Sequence, residues 1–461
     1  MTFNSFNRKY PAAVTYITFC VPFFSIMSLN TYLTMWVFFY YQIIIGISVV
    51  LILLPVALIN LILPFLQPLL GSISDRNFPF TRNLGRRFLW IVVMGFQTPI
   101  FLVLVFWVPT SNGMIFIIVF TALLMLYNVA YSIFLTSYSA LLLNKFRNPK
   151  ERLLLGALTE FISTIGIVII SLFAPMFINF GDPSTIQFLT IPIAITFAAT
   201  LSLGIFGILE EKELIDTYFS PNLTPKKGFL KDMFNGFTIF KRKNFIVLLF
   251  RWIAFALFNL LFFSGLVFYF MYVLGTSIYL ISIATIGYYI WLLIAFPLSF
   301  LLSWFLGHLR VSIISGFALG VALLVFFFVA NTLMAIILTS IIGFTFGLGM
   351  ASLIPLVGDV FDEHASINRK RSEGVSYGIL KMFGGLSVIL SNFITAGVIS
   401  LTGFYTGWGP LTPLALVGIR LLISMIPGII IIGVMILFVV LYDLKPKKTE
   451  AIRMELKELE I

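Results

Sequence analysis

Twelve apolar runs, each long enough to cross a lipid bilayer, limit this 461-residue chain to very few folds. Inside a bilayer the backbone has no water to bond, so runs of this length are expected to be transmembrane helices. The predicted spans are residues 11–40, 43–70, 88–108, 113–142, 152–178, 186–209, 244–274, 278–306, 311–330, 333–361, 373–401 and 421–442. The sequence therefore predicts an all-α integral membrane protein.

A charged segment divides the spans into two groups of six. We predict an N-terminal six-helix bundle over residues 1–209, a cytoplasmic linker over 210–243, a C-terminal six-helix bundle over 244–442 and a cytoplasmic tail over 443–461. The linker is expected to contain an amphipathic helix near residues 229–240, and the tail to be either a charged helix or a disordered end. Two such halves around a central site are typical of secondary transporters.

Basic residues are distributed very unevenly along the chain. When the amino terminus is placed in the cytoplasm, all but three of the 29 Lys and Arg residues fall in cytoplasmic segments, and the exceptions are Arg251, Lys381 and Arg420. This asymmetry predicts that both termini are cytoplasmic in a multi-pass protein of the plasma membrane. The net charge of +11 then reflects topology, and no nucleic-acid partner is expected.

Composition and missing motifs exclude several classes of protein. Only 10% of the residues are charged, against about a quarter in soluble domains, which excludes a water-soluble enzyme. The sequence has no G-x-x-x-x-G-K-[ST] loop for ATP, and its single cysteine, Cys20, and distant His308 and His364 predict no metal site. We expect no enzyme and no cofactor, and a monomer whose partners are a small-molecule substrate and the lipid bilayer.

The turn after span two carries a regular pattern of glycine and charge. It consists of Gly71-Ser-Ile-Ser-Asp75-Arg76 and, after residues 77–84, Gly85-Arg86-Arg87. Gly71 allows a neighbouring helix to approach closely, and Asp75 is an anion that is favoured by about 0.3–1 kcal/mol against a helix amino terminus and is attracted by a local arginine. We predict a gating latch that can be broken, and the alternative is that the arginines only anchor the topology.

Three further stretches extend the pattern over both halves. They are Asn148-Pro-Lys-Glu151-Arg152, then Gly358-Asp359-Val-Phe-Asp362 with Arg371-Ser-Glu373-Gly374, and finally Gly403-Phe-Tyr405 with Gly418-Ile-Arg420 and Pro427. With these motifs the chain resembles the major facilitator superfamily and, within it, the glycoside-pentoside-hexuronide:cation symporters of the melibiose-permease type. The resemblance implies the major facilitator fold, a rocker-switch transporter and a sugar or glycoside substrate.

The resemblance also implies a second cytoplasmic gating latch. Its residues are Asp359, Asp362, Arg371 and Glu373, which lie between spans ten and eleven. The alternative is that these side chains only cap helices.

The sequence departs from the family at the coupling and sugar sites. Gln67 and Leu63 stand where the family carries cation-binding carboxylates, and Leu135 and Ser139 stand at its acidic and aromatic sugar positions. Sodium needs several oxygen ligands with net negative charge, which one amide does not supply. We therefore expect neither sodium coupling at this location nor a typical hexoside site.

Three charged residues remain inside the predicted spans. They are Glu160, Arg251 and Lys381, each about 10–12 Å from the cytoplasmic end. A charge at mid-membrane costs about 2.5–3.5 kcal/mol, which marks functional candidates. We predict that Glu160 carries the coupling proton or pairs with Lys381, and that Arg251 and Lys381 attract a polar or anionic group of the substrate. The alternative is that both basic side chains snorkel to the surface.

Polar residues on the cavity-lining spans would complete the substrate site. The predicted set is Asn30, Thr34, Tyr127, Asn128, Tyr131 and Asn259, each of which has an alternative role in hydrogen bonding between helices. The function predicted from the sequence is proton-coupled symport of a sugar or related small organic solute by alternating access. The alternatives are a carrier of an organic anion or lipid-like amphiphile, and a receptor that keeps a transporter fold without transport.

Overall fold

The computed structural model describes residues 11–76, 78, 81–82, 85–109, 112–178, 182, 184–219, 237–276, 278–369, 371–403 and 412–458. These residues form helices without any strand, and twelve helices are long and apolar enough to cross a membrane. The spans are Ala13–Gln42, Val50–Ser74, Phe88–Val105, Gly113–Lys145, Pro149–Ser171, Ser184–Ile208, Lys243–Val273, Leu280–Leu306, His308–Phe326, Thr332–Asn368, Glu373–Thr402 and Pro413–Leu441. The predicted all-α fold with twelve spans is confirmed.

The starts of spans two and twelve differ most from the prediction, for local reasons. Span two begins at Val50 rather than at residue 43, because the chain first passes through Gly46 with a φ of +79°. Span twelve begins at Pro413 rather than at residue 421, and Thr412 caps its start by accepting from the Ala415 amide.

The chain forms two compact units. The first comprises Met1–Thr238, Ala365–Met382 and Met454–Ile461, and the second comprises Ile239–His364 and Phe383–Arg453. The first unit thus contains spans one to six with the beginning of span eleven. The second contains spans seven to ten, the rest of span eleven and span twelve. The domain boundaries derived from the sequence stay a prediction.

Small residues allow the helices of each unit to pack closely. In the first unit span one packs against spans five and six, and a Cβ placed on Gly166 of span five would lie 2.1 Å from the Phe24 carbonyl oxygen. In the second unit span eight packs against span ten, where a Cβ on Gly343 would lie 2.3 Å from the Tyr288 carbonyl oxygen. Close backbone approach of this kind replaces the hydrophobic effect as the source of helix association in lipid.

The two units share one structural device at the end of their first spans. Span one ends in the π-helical turn Tyr40–Ile44, and span seven ends in the π-helical turn Tyr269–Val273. In each unit a tyrosine of this turn donates to a carbonyl at the end of another span: Tyr41 Oη to Val105 O at 2.6 Å, and Tyr269 Oη to Val329 O at 2.7 Å. The repeated geometry is that of a chain built from two related halves.

The segments outside the spans bear on two predictions, the amphipathic helix of the linker and the structure of the tail. A short helix, Lys212–Phe219, follows span six, whereas Phe237–Lys241 within the predicted amphipathic helix forms a 3-10 helix. Residues 229–236 of that prediction lie outside the described residues. The tail forms the helix Pro446–Glu458, so the first of the two alternatives for the tail is confirmed.

Candidate functional site

Asp75 and Arg87 of the predicted latch form an ion pair. Asp75 directly follows the last turn of span two, and its Oδ1 lies 2.7 Å from Nη2 of Arg87 and 3.7 Å from Nη2 of Arg86. The Arg87 side chain is wholly buried, and its Nη1 also donates to the Ala140 carbonyl at 2.6 Å. A buried guanidinium without an anion would be costly, so Asp75 compensates Arg87. Arg76 is half-buried beside the pair.

The second oxygen of Asp75 caps span eleven. Asp75 Oδ2 accepts from the Val375 amide at 2.9 Å, in the first turn of the helix that begins at Glu373. A carboxylate at this position satisfies a free amide and interacts favourably with the helix dipole. Gly71 makes the contact possible, because a Cβ there would lie 2.1 Å from the Gly374 carbonyl oxygen.

Arg371 and Glu373, predicted for the second latch, take part in this same cluster. Glu373 Oε2 lies 3.4 Å from Nη2 of Arg87, and its Oε1 lies 3.0 Å from Nη1 of Arg371. Glu373 is buried, with 2% of its side chain exposed. The cluster of Asp75, Arg86, Arg87, Arg371 and Glu373, called the latch cluster below, joins the end of span two to the start of span eleven within the first unit.

Glu210 supports the latch cluster and was not predicted from the sequence. Its Oε1 accepts from the backbone amides of Arg87 at 2.7 Å and Phe88 at 3.0 Å, so it caps the start of span three. Gly85, with a φ of +104°, passes so close to Glu210 that a Cβ would lie 2.6 Å from its Cδ. The position of Glu210 in a charged linker gave no sequence signal for this role.

Asp359 of the second predicted latch lies in the second unit and contacts other partners. Its Oδ2 lies 2.9 Å from Nε2 of His308, and its Oδ1 pairs with Nη2 of Arg453 on the tail helix. Asp362 is also buried there, with 4% exposed. Neither His308 nor Arg453 was predicted to take part in a site.

Arg251 lies inside the second unit and is wholly buried. Its Nη2 donates to the Gly349 carbonyl at 2.8 Å, and its guanidinium stacks 4.5 Å from the centre of the Phe255 ring. Gly349 precedes the break between the helices Thr332–Ala351 and Leu353–Asn368 of span ten. The side chain therefore bonds to the carboxyl end of a helix rather than snorkelling to the surface, and a direct contact of Arg251 with substrate stays a prediction.

Lys381 and Glu160 both lie half-buried in the first unit. The Lys381 ammonium lies 6.0 Å from the centre of the Tyr131 ring and 5.7 Å from that of Tyr377. Among the described residues no carboxylate lies within 4.0 Å of Lys381, so the predicted ion pair with Glu160 is not formed in this structure. The sequence placed both residues at similar depth but could not fix the direction in which each side chain points.

Tyr377 lies beside Lys381 and was missed in the sequence. The centre of its ring lies 5.7 Å from the Lys381 ammonium, and its hydroxyl is hydrogen-bonded to Ser139. Tyr377 lies four residues after Glu373 and four before Lys381, so all three share one face of span eleven. This spacing was the available signal for including Tyr377.

The predicted lining residues have different environments. Tyr127 is wholly buried and stacks on Tyr131 with ring centres 6.0 Å apart, whereas Asn30 of the first unit and Asn259 of the second are half-buried. Asn128 donates to the Leu124 carbonyl of its own helix at 2.8 Å. This bond lies within one helix, so it differs from the hydrogen bonding between helices that was the alternative for this set, and a contact of Asn128 with substrate stays a prediction.

Gln67, at the position of the family's cation site, joins two helices. Its Nε2 donates to Ser132 Oγ at 2.9 Å, which links span two to span four, and 7% of the residue is exposed. The amide nitrogen therefore has a partner within the protein, whereas the buried Oε1 of Gln67 has no hydrogen-bond partner among the described residues.

A comparison with protein families places these features in context. The family model described as MFS/sugar transport protein matches residues 18–445, from within span one to beyond the end of span twelve. No curated protein matches the chain.

Proposed function

Because the chain belongs to the MFS/sugar transport protein family, we propose that this membrane transporter moves a small organic solute together with a proton by alternating access. Sugars are the class of solute that the family description names. The proposal further places both termini in the cytoplasm of a cell whose plasma membrane the protein spans, as the distribution of basic residues predicts.

The proposal of proton coupling rests mainly on the environment of Glu160. Its carboxyl is half-buried within span five and, among the described residues, has no basic group within 4.0 Å. A carboxylate in such a place costs about 2.5–3.5 kcal/mol, and a proton removes that cost. Glu160 therefore suits a group that binds a proton on one side of the membrane and releases it on the other.

The latch cluster supports transport over a receptor without turnover. Span eleven is held by a carboxylate cap, by ion pairs and by a glycine contact, all at its first turns. The cap is a short, directional hydrogen bond and the glycine contact is tight, so a shift of span eleven by a few ångströms breaks them together with the ion pair. We propose that they close the cytoplasmic side and that opening requires their loss.

An organic anion is the second candidate for the solute. The observation that favours it is Lys381, an ammonium inside a span without a carboxylate partner among the described residues. An anionic group of the solute would supply the missing counter-charge.

Uptake into proteoliposomes that contain a fluorescent pH indicator tests the proposal. A panel of sugars, sugar acids and other organic acids is added outside, and proton entry is recorded for each compound. At least one compound is expected to acidify the lumen at a rate above that of protein-free vesicles. A compound that enters without protons would contradict the coupling, and failure of every class would favour the receptor.

A further inference from the structure

We propose that the site around Lys381 takes an organic monocarboxylate with a flat, apolar body rather than a polyhydroxylated sugar. The inference rests on the proposed function and narrows its substrate class. It follows from the charge, the hydrogen bonds and the rings around Lys381, all of which lie in the first unit.

The charge of Lys381 defines the anionic end of the ligand. Its ammonium lies about equally far from the Tyr131 and Tyr377 rings, at 6.0 and 5.7 Å from their centres. The faces of aromatic rings attract a cation, but they do not neutralise it. The side chain is half-buried, and a carboxylate that binds the ammonium gains a charge-assisted hydrogen bond.

The hydrogen bonds of spans one and four favour a ligand with few hydroxyls. Four polar side chains of these spans donate to carbonyls of their own helices: Ser28 to Phe24 O at 2.7 Å, Thr34 to Asn30 O at 2.9 Å, Asn128 to Leu124 O at 2.8 Å and Ser139 to Leu135 O at 2.8 Å. A buried hydroxyl that finds no partner costs about 1–3 kcal/mol. A sugar needs a partner for each of its hydroxyls, whereas a monocarboxylate carries a single polar end.

The rings beside Lys381 suit a flat body. Tyr127 and Tyr131 are stacked with 18° between their planes, and the Tyr131 hydroxyl lies 4.0 Å from the sulfur of Met27. Offset stacking of a flat group on a tyrosine face is favourable, and the methionine side chain adapts its shape to an apolar neighbour. The groups next to the ammonium are therefore two aromatic rings, with the thioether of Met27 at the hydroxyl of Tyr131.

Glu160 completes the charge balance. When the carboxylate of the ligand binds Lys381 and a proton binds Glu160, the ligand and the proton together carry no net charge. Movement of the ligand and the proton together across the membrane then does no work against the membrane potential. The monocarboxylate is thus the class of solute that makes the proposed proton coupling electroneutral.

Equilibrium binding of radiolabelled phenylacetate to the full-length protein in nanodiscs tests the inference. Lys381→Met is expected to weaken binding by about tenfold or more, the loss of one charge-assisted hydrogen bond, and Lys381→Arg to retain most of it. Lys448→Met on the tail helix removes the same charge far along the chain and serves as the matched control, with unchanged binding expected. Unlabelled phenylacetate is expected to compete, and phenylacetamide, phenethylammonium and glucose are not.

Three results would overturn the inference. They are equal binding by the Lys381→Met variant and the control, competition by phenylacetamide as strong as that by phenylacetate, and competition by glucose alone. Proton-coupled uptake of a neutral sugar would refute the monocarboxylate while leaving the proposed transport function intact. Absence of any proton-coupled uptake in the proteoliposome panel would instead refute the proposed function itself.

Discussion

Replacement of Asp75 by Asn perturbs the latch cluster at its centre. The Asp75 carboxylate has two tasks, since it pairs with the wholly buried Arg87 at 2.7 Å and accepts from the Val375 amide at 2.9 Å. An asparagine oxygen can still accept from the amide, so Asp75→Asn mainly removes the charge. Removing one partner of a buried ion pair costs about 3–5 kcal/mol. Glu373 remains 3.4 Å from Arg87, so we expect a loss of about 2 kcal/mol.

Asp182 provides the matched control. Its Oδ1 accepts from the Ser184 amide at 2.9 Å, also at the start of a helix, but Asp182 is exposed. Asp182→Asn therefore tests the same exchange of carboxylate for amide at a helix start, without a buried guanidinium. A smaller loss of stability is expected for this variant than for Asp75→Asn.

The free energy of unfolding is measured by titration of the detergent-solubilised protein with SDS, followed by tryptophan fluorescence. A double-mutant cycle of Asp75→Asn with Arg87→Met is expected to give a coupling energy of about 1 kcal/mol or more. Equal losses for Asp75→Asn and Asp182→Asn, or a coupling energy of zero, would refute the assignment of the buried ion pair.

Three further predictions use the same titration. Gly71→Ala places a Cβ 2.1 Å from the Gly374 carbonyl oxygen and should cost about 1–3 kcal/mol, whereas Gly397→Ala, with no atom within 4 Å, should not destabilise. Glu210→Ala should cost about 0.5–2 kcal/mol, because two amides at the start of span three lose their acceptor. Burial would raise the pKa of Asp443, but hydrogen bonds from two lysines and an asparagine outweigh it and hold this pKa at about 2, below its ordinary value. The stabilisation by Asp443 is thus full above about pH 4 and lost as the pH falls towards 2, so the deficit of Asp443→Asn should shrink over that range. Equal stability of Gly71→Ala and Gly397→Ala would contradict the glycine contact, and wild-type stability of Glu210→Ala would contradict the cap. A deficit of Asp443→Asn that did not change with pH would contradict the role of the Asp443 charge.

The spans could be predicted from the sequence because a bilayer leaves the backbone few choices. Runs of apolar residues of sufficient length must become helices, whatever their neighbours. The expectation that Asp75 lies against a helix amino terminus also agrees with the structure. The sequence could not tell which helix it caps, however, because Val375 is 300 residues away along the chain.

Side-chain direction could not be predicted for the charges inside the spans. Glu160 and Lys381 follow the helix starts by similar numbers of residues, so depth could be estimated from the helical rise. Helices that are apolar on all sides carry little information about which face meets which neighbour. The Glu160 to Lys381 pair, one of the two roles predicted for Glu160, is not formed in this structure, and Tyr377 beside Lys381 was overlooked.

Transport by a Glu160→Gln variant tests the central proposal most directly. Two rates are measured in proteoliposomes with a compound that the wild-type protein takes up: uphill uptake driven by a pH gradient, and exchange of labelled for unlabelled compound without a gradient. We predict that the variant loses uphill uptake and keeps exchange, since the glutamine mimics the protonated carboxyl and carries no releasable proton. Uphill uptake by the variant at the wild-type rate would contradict the assignment of proton coupling to Glu160.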